Sequence, residues 1–124
     1  MGKSMQPTTG GVTKEIYIDV ADMSADDTYY VLVPAAGKIE EFRAVVDGAI
    51  GTADITVTPS LNGVAISGGV VTLPTSGSAA GTNASAAVPV PPNCVKGDKI
   101  SLAIAGGGSG GSPRGHIVAV IRLD

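Results

Sequence analysis

Apolar and polar positions alternate with a period of two along most of this chain. In "KEIYIDV", Ile16, Ile18 and Val20 alternate with Glu15, Tyr17 and Asp19, the pattern of a strand with one buried face. "TYYVLVP" is a β-branched and aromatic strand that ends at Pro34. "GKIEEFRAVVDG" has the length of a helix, but Phe42, Ala44 and Val46 alternate between the bracketing Gly37 and Gly48. It reads as a strand with a bulge near Glu40 and Glu41. "ADITVTP" alternates again, and Asn62-Gly63 then marks a tight hairpin into "VAI", because both residues accept positive φ. "VVTLP" follows. "ASAAVPV" serves as an edge strand, where proline's missing donor does no harm. "KGDKISLAIAG" sets Ile100, Leu102 and Ile104 on one face, and "HIVAVIRL" is apolar on both, as in a strand covered on each side.

This gives about eight strands, short turns and no helix, over a length that suits one domain. The expected fold is all-β: a single-domain antiparallel β-sandwich, jelly-roll-like, over residues 13–124. Residues 1–12 are polar, contain Gly10-Gly11 and show no periodicity, so a flexible N-terminal arm is expected there.

Composition refines this picture. Aromatics are only 3% and Trp is absent, so Val, Ile, Leu and Ala must fill the core. The net charge is −3 and the eight basic residues are scattered, which argues against nucleic-acid binding. One cysteine, Cys94, excludes an intrachain disulfide and has no histidine near it in sequence. The N-terminus lacks the apolar region of a secretory signal, and no apolar stretch has bilayer length. Synthesis in a bacterial cytoplasm and no membrane association are expected.

Candidate chemistry is sparse. "AGGGSGGSPRGH" is glycine-rich, yet it has no GK[ST] ending and leads into a strand where a phosphate cradle needs a helix. His116 is the only histidine; Ser109 and Ser112 are near it in sequence, on a glycine-rich loop that positions a nucleophile poorly. "DMSADD" groups Asp22, Ser24, Asp26 and Asp27 but lacks the glycine and distal glutamate of a calcium loop. Glu40 and Glu41 are adjacent on a strand, so they are expected to point to opposite faces, with Lys38 and Arg43 completing cross-strand or intersubunit ion pairs. No enzymatic activity, no cofactor and no metal are expected from these residues.

The outstanding feature is a run from Ile55 to Val95 without Asp, Glu, Lys or Arg. A monomer's outward strand positions normally carry Lys and Glu. Here they carry Thr, Ser, Asn, Ala and Gly, which can meet another protein without desolvating charge. An oligomeric or docking surface is therefore expected in this half, with Val64, Ile66, Val70, Leu73, Val88, Val90 and Pro91 as candidate interface residues.

The order of elements from Tyr29 to the end resembles small bacteriophage head decoration (capsid cement) proteins. A strand start "P-x-x-G-x-I" is made by Pro34, Gly37 and Ile39, and a "G-A-I-x-x-A-D" turn by Gly48, Ala49, Ile50, Ala53 and Asp54. The hairpin turn Asn62-Gly63, the loop "GSAAG" at Gly77–Gly81 and a late "V-x-G-D-x-I" of Val95, Gly97, Asp98 and Ile100 complete the likeness. The resemblance implies a structural virion protein on the outer capsid surface. It would bind the major capsid protein, bridge capsid subunits and self-associate as a dimer or trimer. A host-recognition module on a head fibre or tail is the alternative; scarce aromatics weaken a sugar-stacking role. A small jelly-roll enzyme or cupin-like sugar binder is a third reading, disfavoured by the lone histidine.

Overall fold

The computed structural model describes residues 12–107 and 113–124. These form ten strands and, among the described residues, no helix: β1 (Thr13–Val20), β2 (Asp27–Leu32), β3 (Gly37–Val46), β4 (Ile55–Leu61), β5 (Val64–Ala65), β6 (Val71–Leu73), β7 (Asn83–Ala87), β8 (Asn93–Cys94), β9 (Lys99–Gly106) and β10 (Gly115–Leu123). The expected arm at residues 1–12 lies outside the described residues except for Val12, whose carbonyl accepts from Leu123 N–H. Most of the glycine-rich loop, residues 108–112, lies outside them too.

Two antiparallel five-stranded sheets make the sandwich. The first runs β1-β10-β3-β7, with β8 also paired to β3; the second runs β2-β9-β4-β5, with β6 also paired to β4. Inward positions of both sheets meet in one core. Ile18, Val20, Ile39, Phe42, Ile117 and Ile121 come from the first sheet, and Ile55, Val57, Leu73, Ile100 and Leu102 from the second. No polar or charged side chain is buried among the described residues, so the core needs no internal polar partner.

Local chemistry sets the details. Asn62 and Gly63 have φ of 50° and 86°, as the hairpin sequence requires, and Asn62 Oδ1 accepts from Lys99 N–H at 2.9 Å. The bulge falls where it was expected: β10 pairs Val120 with Glu41 and Ile121 with Ile39, leaving Glu40 as the extra residue. That extra residue overturns the expectation that Glu40 and Glu41 face opposite ways. Ile39 and Phe42 both point into the core, so both carboxylates lie on the outer face between them.

A second correction concerns β10. Its inner residues Ile117, Ala119 and Ile121 are in the core, but no described layer covers its outer face. Val120 is nonetheless only 6% exposed there, because Glu15 and Glu41 flank it on the two neighbouring strands.

Candidate docking surface

The sandwich has two unlike outer faces. On the first sheet the charges are dense and satisfied within the molecule. Arg43 bridges Glu41 at 3.1 Å and Glu15 at 3.8 Å, Arg122 meets Glu40 at 3.3 Å, and Lys38 Nζ donates to Asn93 Oδ1 at 2.7 Å. The hydrogen bond to Glu41 holds the Arg43 guanidinium above its ordinary pKa. Tyr17 donates to Glu15 Oε1 at 2.7 Å, and that bond holds its phenol above the usual value. These exposed pairs, within a strand for Arg43 with Glu41 and Tyr17 with Glu15 and between strands for the others, are of small individual worth.

The outer face of the second sheet is built from the alternate residues of β2, β9, β4 and β6, whose inward neighbours are the core side chains. Register aligns them in rows: Tyr30, Ser101, Ser60 and Ala65; Thr28, Ala103 and Thr58; then Ala105, Thr56 and Thr72. Lys99, stacked over the Tyr30 ring at 5.6 Å, is the one charged residue of the outward strand positions. Tyr30 and Leu32 are 62% and 67% exposed, large apolar groups on an otherwise small-residue surface. With strands about 4.8 Å apart and rows about 7 Å apart, these residues together with Leu32 and Lys99 give this face roughly 400 Å² in projection.

The candidate interface residues divide between core and surface. Ile66, Leu73 and Val88 are core side chains, a correction to the expectation. Leu73 and Val71 are the inward positions of β6, and Val88 is drawn in where its N–H donates to the Glu40 carbonyl at 2.8 Å. Val64, Val70 and Val90 are exposed, and Pro91 is half-buried. Val64 and Val90 line a groove of about 510 Å³ at the sandwich edge that Asp98 also borders and that meets the face of the second sheet at Ala65. Sequence reading missed Tyr30, Leu32, Ser101 and Ala103, which lie outside the charge-free run and join it only through the pairing of β2 and β9 with β4.

The remaining candidates are placed as follows. Asp19 supplies the orienting carboxylate that the sequence reading did not provide, 2.6 Å from His116 Nδ1, but both side chains are solvent-exposed on the first sheet. Ser109 and Ser112 lie outside the described residues. Ser85, which shares a groove with His116, is two strands and one two-residue step away, about 12 Å between α-carbons. Arg114 and His116 also border a cleft of about 670 Å³ with Asp19 and Asp47. In the acidic turn, Asp22 accepts from the Ser24 N–H and hydroxyl, Asp26 from Gly106 N–H, and Asp27 from Thr28 N–H. No group of three or more metal-ligating side chains occurs among the described residues. Cys94 is buried and donates to the Gly37 carbonyl at 3.5 Å; burial, then the nearby Asp98 carboxylate, pushes its thiol up, away from the reactive thiolate.

No family model and no curated protein matches the chain. Among solved structures it is similar to the nucleoplasmin-like N-terminal domain of Drosophila FKBP39, at 10% identity and a TM-score of 0.51 over 94% of this chain and 95% of that one. It is also similar to the CBM35 of Cellvibrio japonicus Abf62, at 20% identity and a TM-score of 0.51 over 83% of this chain and 71% of that one. At these identities the likeness is one of fold, and the chain is a jelly-roll-like antiparallel β-sandwich.

Proposed function

We propose that this protein is a structural virion protein that binds the outer surface of an icosahedral phage capsid in many copies and bridges capsid subunits. The observation that carries the reading is the nearly uncharged outer face of the second sheet, where Lys99 is the one charge at the outward strand positions. Docking strips water from every group it covers. Hydroxyls and alanines tolerate that at small cost, whereas each unpaired ion costs several kcal/mol. The first sheet has the opposite character and stays in solvent with its charges paired. The order of turns and strands that resembles capsid decoration proteins supports the same reading. The fold alone is neutral on it.

The alternative of a host-recognition module has one feature in its favour, the loop-lined cleft beside Arg114 and His116. Copy number separates the two. Quantitative mass spectrometry of gradient-purified particles of the encoding phage is expected to find this chain in numbers comparable to the major capsid protein. A small fraction of that number would move the assignment to a fibre or tail, and absence from particles would refute a virion role.

A further inference from the structure

A sandwich of two open sheets has four edges, and exposed edges invite pairing unless they are blunted. Three of the four are. β1 carries Lys14, Glu15 and Asp19. β5 and β6 are two and three residues long. β7 and β8 are five and two residues long and are separated by Pro89, Pro91 and Pro92. β2 is different: from Thr28 to Leu32 it has no charge, no proline and no bulge, and among the described residues β9 is its only strand partner.

The direction of its backbone groups follows from its neighbours. Lys99 exchanges hydrogen bonds with Asn62, so its N–H and C=O face β4. Alternation turns those of Ile100, Leu102 and Ile104 toward β2, where they meet Val31, Tyr29 and Asp27. Val33 keeps the same parity through its bonds to Asp98 and Gly97. Thr28, Tyr30 and Leu32 therefore aim their N–H and C=O groups out of the sheet. Thr28 N–H is met by the Asp27 carboxylate, and the Tyr30 and Leu32 groups have no partner among the described residues.

We propose that β2 is a self-pairing edge: two copies of this chain join their β2 strands antiparallel about a two-fold axis at Tyr30, making one ten-stranded sheet. The outward groups at positions 28, 30 and 32 are symmetric about Tyr30. Antiparallel pairing sets Tyr30 opposite Tyr30 of the second copy and Thr28 opposite its Leu32. The Tyr30 pair and the two Thr28–Leu32 pairs fall in hydrogen-bonded positions, and Thr28 N–H exchanges the Asp27 carboxylate for the Leu32 carbonyl of the second copy. On the inner face Tyr29 meets Val31 of the second copy, and both are only half-buried in one chain. No carboxylate or ammonium on residues 28–32 opposes its own image, so the isologous arrangement has no like-charge clash within the strand. The dimer stands independently of the capsid reading. Where that reading holds, pairing doubles the nearly uncharged face to about 800 Å², continuous across the new sheet, with one Lys99 from each copy.

The test is the mass of the full chain in solution, by light scattering across a concentration series. A species of twice 12.2 kDa is expected. Tyr30→Lys and Tyr30→Glu each place like charges on the two-fold axis and are expected to give the 12.2 kDa species; mixing the two variants is expected to restore the doubled mass. Both retain the fold because Tyr30 is exposed, as circular dichroism would verify, and Leu32→Lys is the second variant. Tyr17→Lys, on the other outer face, is expected to leave the dimer intact. A wild-type chain monomeric at every concentration, a trimer, a dimer indifferent to Tyr30→Lys, or variants that stay monomeric on mixing would each overturn the proposal. Mass in free solution and copy number on particles are separate readouts, so either proposal can fail alone.

Discussion

Phe42 is the only phenylalanine and the largest fully buried side chain, and its neighbours make its removal unusually hard to absorb. On β3 it lies between Ala119 of β10 and Ala86 of β7. Phe42→Ala would leave alanine side by side on three strands, and the nearest long side chain in that row, Ile16 of β1, lies two strands from the space. The ring removes about 100 Å³, and about 24 cal/mol per Å³ of residual cavity gives roughly 2.4 kcal/mol before any lost transfer free energy. A total of about 4 kcal/mol is expected, within the range for buried Phe→Ala and a large share of the roughly 5–15 kcal/mol that holds a domain folded. Urea unfolding should show it as a midpoint lower by about 2 M at unchanged slope, taking a slope near 2 kcal/mol/M. Wild type and variant must be compared at equal protein concentration, since self-association would stabilise the folded state. Phe42→Leu is the control, with a loss of about 1–2 kcal/mol. A midpoint shift below about 0.5 M for Phe42→Ala would show that the sheets close over the gap, and the argument from flanking alanines would be wrong.

Four further outcomes are expected. Thr58→Glu puts a carboxylate on the uncharged face; it should change stability by under about 1 kcal/mol yet weaken particle binding by about 100-fold or more in a co-sedimentation assay, and unchanged binding would remove that face from the docking site. Gly37→Ala would drive its methyl into the Arg122 backbone carbonyl on β10, so a loss of about 2 kcal/mol or more is expected by thermal melting. Asn62→Pro cannot keep φ at 50° and loses the bond from its N–H to the Lys99 carbonyl; a destabilisation of about 3 kcal/mol is expected, and a melting temperature equal to wild type would contradict the hairpin's role. Burial raises the Cys94 thiol, so the folded chain keeps its proton after the unfolded chain has lost it. Stability should therefore fall as pH rises above about 9, level off once the native thiol also ionises, and lose part of that slope in Cys94→Ala, measured by urea midpoints across the alkaline range.

Much of the fold was legible because strand formation leaves a local imprint. Ile16, Ile18 and Val20, or Ile100, Leu102 and Ile104, show their buried face by spacing alone, and Asn62-Gly63 shows its turn by the φ it tolerates. Even the bulge was readable, since the apolar phase slips between Ile39 and Phe42. Its consequence for Glu40 and Glu41 was not, because a single extra residue inverts the rule of alternating faces only after pairing with β10 places it. Met23 and Ile50 sit in segments that read as turns, yet both are buried, because tertiary packing brings those loops over the ends of the sandwich. The charge-free run announced an uncharged surface, while Ile66, Leu73 and Val88 went to the core and Tyr30, Leu32, Ser101 and Ala103 joined the face instead. Side-chain period is a property of neighbouring residues, so the sequence alone determined the strands, their inward residues and the absence of charge. Strand order depends on hydrogen bonds between segments tens of residues apart, so only the tertiary structure decided which strands lie side by side, which face keeps Lys99 as its one charge, and that β2 is left at an open edge.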